Sequence, residues 1–139
     1  DPYQWQVENT VNHLVKKLSI TNLNYILSYQ SRVGPLKWIG PSTEKIIKQE
    51  AIKQKIIVVV PVAFVSEHSE TLVELDIEYK KLATEHGSKD YIRVPAVTVN
   101  QDFINSLKSS ILKASNGNLF TSSLRCLEKF KKCPRLQNI

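Results

Sequence analysis

The chain has 139 residues, 42% of them hydrophobic and 23% charged, which is the size and composition of one globular domain. It contains no run of about 18 apolar residues, so the sequence excludes a membrane-spanning helix. The formal net charge of +6 would suit nucleic acid or anionic lipid, but the charge is concentrated near the end of the chain. There a single acidic residue, Glu128, accompanies Arg125, Lys129, Lys131, Lys132 and Arg135.

The first part of the chain predicts two helices separated by a short strand and a loop. Apolar side chains recur at helical spacing over residues 3–18, and Pro2 suits the first position of a helix. Residues 25–29 predict a short buried strand. A loop with two Gly-Pro turns is expected over residues 30–41, followed by a second helix over residues 42–49.

The rest of the chain predicts a strand, a helix, another strand and a last helix. The unbroken β-branched run at residues 56–60 is typical of a strand buried on both faces. A helix is expected over residues 69–86, with Gly87 as its stop. The strand at residues 91–97 contains a proline and is expected near a sheet edge. The last helix is expected over residues 102–114.

The order α-β-α-β-α-β-α predicts an α/β fold, a three-layer sandwich with a parallel sheet of three strands. Residues 1–115 would form this domain, and residues 116–139 a basic tail. A chain that opens on a helix looks like a β-α-β unit without its first strand, and Asp1 is not an initiator Met, so we expect a fragment or a processed product. The unpaired sheet edge would favour pairing with a second copy, so a homodimer is expected.

The candidate chemistry lies where two predicted strands end, because ligands bind at the carboxyl ends of parallel strands. The second of these loops leads into His68, Glu70, Glu74 and Glu78, whose spacing stacks three carboxylates along one helix face. Two interpretations stay open: an amphipathic helix with an acidic face towards water, or a row that lines a cleft and accepts protons. His68 and Glu70 also offer nitrogen and oxygen ligands to a divalent first-row metal.

The other histidines and the cysteines carry weaker signals. His13 lies on the polar side of the first helix and His86 at a helix C-terminus, so both are expected to be solvated surface residues. Cys126 and Cys133 lie in the basic tail, which indicates no disulfide framework and fits a reducing cytoplasm. Their spacing lacks the close pairing of a zinc or iron–sulfur site.

Two stretches of the chain resemble the sequence patterns of ferrochelatases. Residues 28–41, SYQSRVGPLKWIGP, are similar to the family stretch WQSKVGPxxWLxP. Residues 60–79, VPVAFVSEHSETLVELDIEY, resemble the family signature PxxFxSxHxETLxELDxEY, a long, ordered and specific match. The resemblance covers residues 1–113 and is to the C-terminal half of a ferrochelatase, so residues 1–115 are expected to form a chelatase-like domain.

The resemblance implies a lyase of haem and porphyrin biosynthesis. Such an enzyme inserts ferrous iron into protoporphyrin IX, makes protohaem and releases two protons. His68 and Glu70 would be catalytic, face the porphyrin and bind the metal, while Glu74 and Glu78 would continue an acidic path for protons or metal. The helix that carries these residues is expected to contain a π-bulge. The residues expected to pack on the macrocycle are Val33, Trp38 and Phe64.

The resemblance also implies what lies outside this chain. The family's main catalytic histidine, its strand and the N-terminal domain that forms the other cleft wall would precede Asp1, so the segment alone is expected to be inactive. No cofactor is expected, because Fe²⁺ is the substrate metal, and a [2Fe–2S] centre is not expected on Cys126 and Cys133. The protein is expected in the cytoplasm, with peripheral contact on the inner face of a membrane.

Two other functions stay open. One is a non-catalytic ferrochelatase-like domain that binds porphyrin or iron, which the absence of the upstream histidine from the intact protein would indicate. The other is a module that binds nucleic acid or anionic membrane through residues 119–139 in a salt-sensitive manner. No aromatic platform accompanies that charge, so nucleic acid is not an expected partner.

Overall fold

The computed structural model describes residues 2–30, 38–117, 127, 129 and 130. Two compact units are present: one is Val7–Ala96, and the other joins the first residues of the chain to the part that follows Ala96. In the described part of the chain, no helix has the length and apolar character needed to cross a membrane. The elements in chain order are α1 (Tyr3–Leu18), α2 (Thr43–Ala51), β1 (Ile56–Val59), a π-helix (Glu70–Glu78), α3 (Tyr79–Glu85), β2 (Asp90–Arg93) and α4 (Gln101–Ser115).

The sheet consists of β1 and β2, which run parallel with Ile56 opposite Asp90 and Val59 opposite Arg93. The predicted α/β class with a parallel sheet is therefore confirmed, although the sheet has two strands in the described residues where three were expected. β2 is also shorter than the predicted strand at residues 91–97. Its pairing continues by one bond, from Val94 N–H to the Val59 carbonyl, and a proline without an N–H follows at once.

The strand predicted at residues 25–29 is wrong. Tyr29 forms a single parallel bridge to Ser42, and the preceding residues have no ladder. Tyr25 and Ile26 are 48% and 46% exposed, so the segment is not buried either. Strand-forming side chains favour an extended backbone, but a strand exists only where a neighbour supplies hydrogen bonds along its length.

The prediction that β1 is buried on both faces is also wrong. Ile56 and Val58 are 59% and 55% exposed, whereas the alternating side chains are half-buried. That half-buried side of the sheet packs on a core of Ile47, Ala83 and Tyr91. A β-branched run predicts a strand, but its composition does not distinguish one covered face from two.

The helix ends follow the sequence closely. Ser42 caps α2, because its side chain accepts a hydrogen bond from Lys45 N–H. Asn100 caps α4 by accepting from the N–H groups of Asp102 and Phe103. Gly87 has a φ of +88°, the left-handed conformation expected after a helix end, and this confirms it as the stop.

The single helix predicted over residues 69–86 divides at Tyr79. The nine residues Glu70–Glu78 form the π-helix, in which each bond spans five residues, as from Tyr79 N–H to the Glu74 carbonyl. The hydroxyl of the buried Tyr91 donates to the Leu75 carbonyl at 2.8 Å and so ties the π-helix to β2. The expected π-bulge is therefore present as a longer π-helical segment, at the place where the candidate chemistry lies.

Candidate catalytic site

The site begins where β1 ends and the chain turns into the π-helix. The turn is closed by His68, whose carbonyl accepts from the N–H groups of Thr71 and Leu72 at 3.0 and 2.8 Å. The Thr71 side chain, which is fully buried, also donates to that carbonyl and accepts from His68 N–H, both at 2.9 Å. The first turn of the π-helix is thus fixed by a reciprocal pair of bonds between two residues of the family signature.

Glu70, Glu74 and Glu78 form what we call the acidic row. Residues four apart fall short of a full turn in a π-helix, so the three carboxylates stay on one side of it. Glu70 and Glu74 are half-buried and Glu78 is exposed, so the row leads from a partly enclosed position to the surface. Among the residues that the structure describes, no Lys or Arg forms an ion pair with Glu74 or Glu78.

His68 lies at the start of the acidic row and contacts Phe64. The two rings meet edge to face with centroids 4.6 Å apart. Glu70 N–H donates to His68 Nδ1 at 3.2 Å, so this nitrogen acts as an acceptor within the turn and Nε2 is the other ring nitrogen of His68.

A second group of carboxylates, which we call the clamped pair, consists of Glu67 and Asp76. The Arg93 guanidinium at the end of β2 donates from Nε to Asp76 Oδ1 at 2.8 Å and from Nη1 to Glu67 Oε1 at 2.6 Å. A further bond joins Arg93 Nη2 to Asp76. The Arg93 side chain is only 9% exposed, so one buried cation joins β2, the loop after β1 and the π-helix.

The clamped pair is held in its ionised form. The nearby Thr71 hydroxyl, the Arg93 guanidinium and the N–H of Ala96 lower the pKa of Glu67 to about 2. Hydrogen bonds from Arg93 likewise place the pKa of Asp76 below its usual value. The same two carboxylates raise the pKa of Arg93, Asp76 more than Glu67. These groups therefore stay charged at neutral pH.

Gln30 brings the other predicted loop to the acidic row. Its side-chain Nε2 donates to Glu74 Oε2 at 2.7 Å, across 44 positions of sequence. The Trp38 indole N–H donates to the Gln30 carbonyl at 3.2 Å, and this tryptophan is partly exposed. The loop at residues 30–41 and the segment that follows β1 thus meet at Gln30. The first of these loops does not follow a strand, contrary to the prediction. Val33 lies outside the described residues.

Sequence analysis singled out neither Gln30 nor the Arg93 clamp as functional residues. The available signal was that Gln30, Glu67 and Asp76 all fall within the two stretches that resemble ferrochelatases. A second signal was that Arg93 ends one parallel strand while acidic residues follow the end of the neighbouring strand, because the carboxyl ends of parallel strands lie at the same edge of the sheet. The contact partners themselves are separated by 17 to 44 positions and cannot be paired from spacing.

The remaining candidates lie apart from this arrangement. His13 is exposed and bonds the Asn9 carbonyl through Nδ1 at 2.8 Å, which confirms a surface position. His86 is half-buried rather than fully solvated, and its Nδ1 bonds the Leu82 carbonyl at 2.9 Å. Cys126 and Cys133 lie outside the described residues. Within the part of the chain that the structure describes, no three His, Cys, Asp or Glu side chains form a metal cage.

Comparison with known proteins identifies the family of the chain. The family model for ferrochelatase matches residues 1–115. The ferrochelatase of Pelagibacter ubique is 58% identical over 140 residues, which cover 98% of this chain and 41% of that protein. The ferrochelatase of Rickettsia prowazekii is 48% identical over 139 residues, covering 96% of this chain and 40% of that protein.

A third relative, the ferrochelatase of Rickettsia bellii, is 49% identical over 140 residues, covering 96% of this chain and 39% of that protein. The chain thus spans about two-fifths of the length of the curated relatives it matches. The family match takes in β1, the π-helix with its acidic row, and the Arg93 clamp. The chain belongs to the ferrochelatase family.

Proposed function

We propose that the protein containing this chain inserts ferrous iron into protoporphyrin IX and releases two protons. The chain would supply one wall of the site, and the part of the protein beyond it would supply the other wall. Iron is the substrate metal, so the reaction requires no resident cofactor. The expectation that Cys126 and Cys133 hold no [2Fe–2S] centre stays a prediction.

The acidic row is the observation that carries this proposal. Metal entry removes two pyrrole protons, and these need proton acceptors close to the porphyrin. Glu70 and Glu74 are half-buried on the π-helix, and the row ends at the exposed Glu78. Such a row suits the transfer of protons away from, or of metal towards, a bound porphyrin.

The supporting groups suit the binding of a flat macrocycle. Phe64 packs edge to face on His68, and the partly exposed Trp38 is held by its bond to the Gln30 carbonyl. Aromatic rings offer apolar area with a fixed geometry, which is what a porphyrin face requires. We assign Phe64, Trp38 and Val33 to porphyrin binding, His68 and Glu70 to catalysis and metal contact, and Glu74 and Glu78 to the path.

The test is metallation of protoporphyrin by the full-length protein with Glu70→Gln. We expect the rate constant to fall by about 100-fold or more, because an amide cannot accept the proton. Loss of porphyrin fluorescence measures the rate, with Fe²⁺ under anaerobic conditions or Zn²⁺ in air. Glu85→Gln, an exposed change on α3, is the matched control and should retain the wild-type rate.

Three outcomes decide between the hypotheses. A large loss in Glu70→Gln with a normal control supports the proposal. Normal metallation by Glu70→Gln contradicts the role of Glu70. If the wild-type protein binds protoporphyrin but metallates none of it, the non-catalytic porphyrin-binding alternative is correct.

We also propose a cytoplasmic protein that contacts an anionic membrane surface peripherally and forms a homodimer. The excess of Lys and Arg in the basic tail supports the membrane contact, because basic residues near an anionic surface are attracted to it. In the part of the chain that the structure describes, the sheet has two strands and each leaves one edge without a partner strand, which supports self-association. Vesicle sedimentation at low and high salt, and analytical ultracentrifugation, test the two statements separately.

A further inference from the structure

Gln30 makes a contact that the proposed roles do not yet explain. Its Nε2 lies 2.7 Å from Glu74 Oε2, within the range of a hydrogen bond to an ionised carboxylate. A primary amide nitrogen can only donate, so the bond fixes Glu74 as the acceptor and orients its carboxylate. Glu74 is the middle member of the acidic row, and its orientation therefore sets the continuity of the row.

The backbone holds Gln30 in place on both sides. Tyr29 is buried and bonds the far end of the loop that Gln30 begins. Its N–H donates to the Pro41 carbonyl at 2.9 Å, and its own carbonyl accepts from Thr43 N–H at 3.1 Å. The Trp38 indole then donates to the Gln30 carbonyl. Because these bonds fix the main chain, the amide reaches Glu74 from a preorganised position rather than from a flexible surface side chain.

The choice of a neutral donor has a chemical consequence. Glu67, which is paired with Arg93, is held permanently ionised and cannot exchange a proton at neutral pH. An amide orients a carboxylate by a hydrogen bond without placing a full positive charge beside it. Gln30 therefore orients the Glu74 carboxylate by a hydrogen bond, as Arg93 orients the clamped pair, but without the positive charge that Arg93 carries.

We propose that Gln30 is a positioning residue of the reaction, which orients the Glu74 carboxylate within the acidic row and couples it to the segment that carries Trp38. The inference rests on the proposed function, since it gives Glu74 a part in proton or metal transfer. It adds a residue outside the row and links the porphyrin-facing loop to the row.

The experiment uses the full-length protein with Gln30→Leu, Gln30→Glu and the exchanged pair Gln30→Glu with Glu74→Gln. Gln30→Leu should lower kcat for metallation by about 10-fold, with KM for porphyrin within about two-fold, because a misplaced group costs chemistry more than binding. Gln30→Glu sets two carboxylates against each other and should move the acid limb of the pH–rate profile up by about one unit. Gln49→Leu, an exposed change on α2, is the control and should match wild type.

The exchanged pair shows whether Gln30 orients Glu74 for the reaction or only stabilises the fold. It restores a hydrogen bond between the two side chains but moves the carboxylate to position 30. We expect the melting temperature to return to the wild-type value while kcat stays low. Recovery of kcat in the exchanged pair, or an unchanged kcat in Gln30→Leu, overturns the inference.

A readout without turnover keeps this inference distinct from the proposed function. In protein labelled with ¹⁵N-glutamine, the side-chain amide signals of Gln30 should move as pH is lowered, because Glu74 is their acceptor. The movement should vanish in Glu74→Gln. If wild type metallates no porphyrin yet shows this titration, the positioning contact stands and the proposed function fails; if the signals do not respond to pH, the inference is overturned.

Discussion

The carboxylates around the π-helix fall into two groups that differ in the charge opposite them. The clamped pair, Glu67 and Asp76, faces the buried guanidinium of Arg93. Glu74 and Glu78 of the acidic row have no Lys or Arg partner among the described residues, and Glu74 instead accepts from the neutral amide of Gln30. The two groups are interleaved along one stretch of sequence, yet a guanidinium holds Glu67 and Asp76 as anions, whereas a neutral amide orients Glu74.

The difference shows how one element combines stability with chemistry. Arg93 fastens the loop and the π-helix to the sheet from the side of β2, so the row need not contribute to holding the element in place. Like charges four residues apart repel one another, so the row of carboxylates lowers the stability of the helix that carries it. Removing charge from the two groups should therefore change stability in opposite directions.

The largest effect is expected for Arg93→Leu. It leaves Glu67 and Asp76 facing each other without a cation, so the melting temperature of the full-length protein should fall by roughly 5 °C. Thermal unfolding followed by circular dichroism measures the change. Lys81→Leu removes an exposed cation that lies 3.8 Å from Glu85 and should have little effect. An equal loss in both variants would mean that the clamped pair is no more strongly held than a surface pair.

The next effect is a pH dependence that originates in Glu67. Its pKa is about 2 in the folded protein against 4.5 in the unfolded chain, so its contribution to stability is complete above about pH 4.5 and is lost as pH falls towards 2. Glu67→Gln should flatten the fall in melting temperature between pH 5 and pH 3, in about that window. Unfolding curves at a series of pH values measure this, with Glu85→Gln as the control. Parallel curves for Glu67→Gln and wild type would contradict the assigned shift.

The smallest effect has the opposite sign and belongs to the acidic row. Glu78→Gln removes one repulsive contact at the exposed end of the row, so the protein should gain about 0.3 kcal/mol of stability. Denaturant unfolding at low ionic strength measures the gain, which should disappear in about 1 M salt because charges at the surface are then screened. A loss of stability on this change would show that Glu78 makes an attractive contact and that the two groups of carboxylates are alike.

The elements that the sequence predicted well are those with local signals. Ser42 has a side chain that caps its own helix, and Gly87 adopts the left-handed conformation that ends one, so both boundaries can be read from neighbouring residues. The prediction of a strand at residues 25–29 was wrong because a strand depends on a non-local signal. Its side chains favour an extended backbone, but the ladder that makes a strand depends on a partner far along the chain.

The candidate site shows the same division. The row of Glu70, Glu74 and Glu78 follows from spacing within one helix, and the family signature names it from the sequence alone. Gln30 and Arg93 lie 44 and 17 residues from their carboxylate partners, so no periodicity connects them. Sequence reasoning therefore found the groups proposed to act on the substrate and missed the groups that hold them.

By itself, the sequence determined the α/β class, the helix ends, the position of the acidic row after a strand, and membership of the ferrochelatase family. Only the tertiary structure decided which group stands opposite Glu67 and which opposite Glu74. The reason is that the partners are far apart in the chain. Arg93 reaches Glu67, and Gln30 reaches Glu74, only when the sheet and the loops have folded.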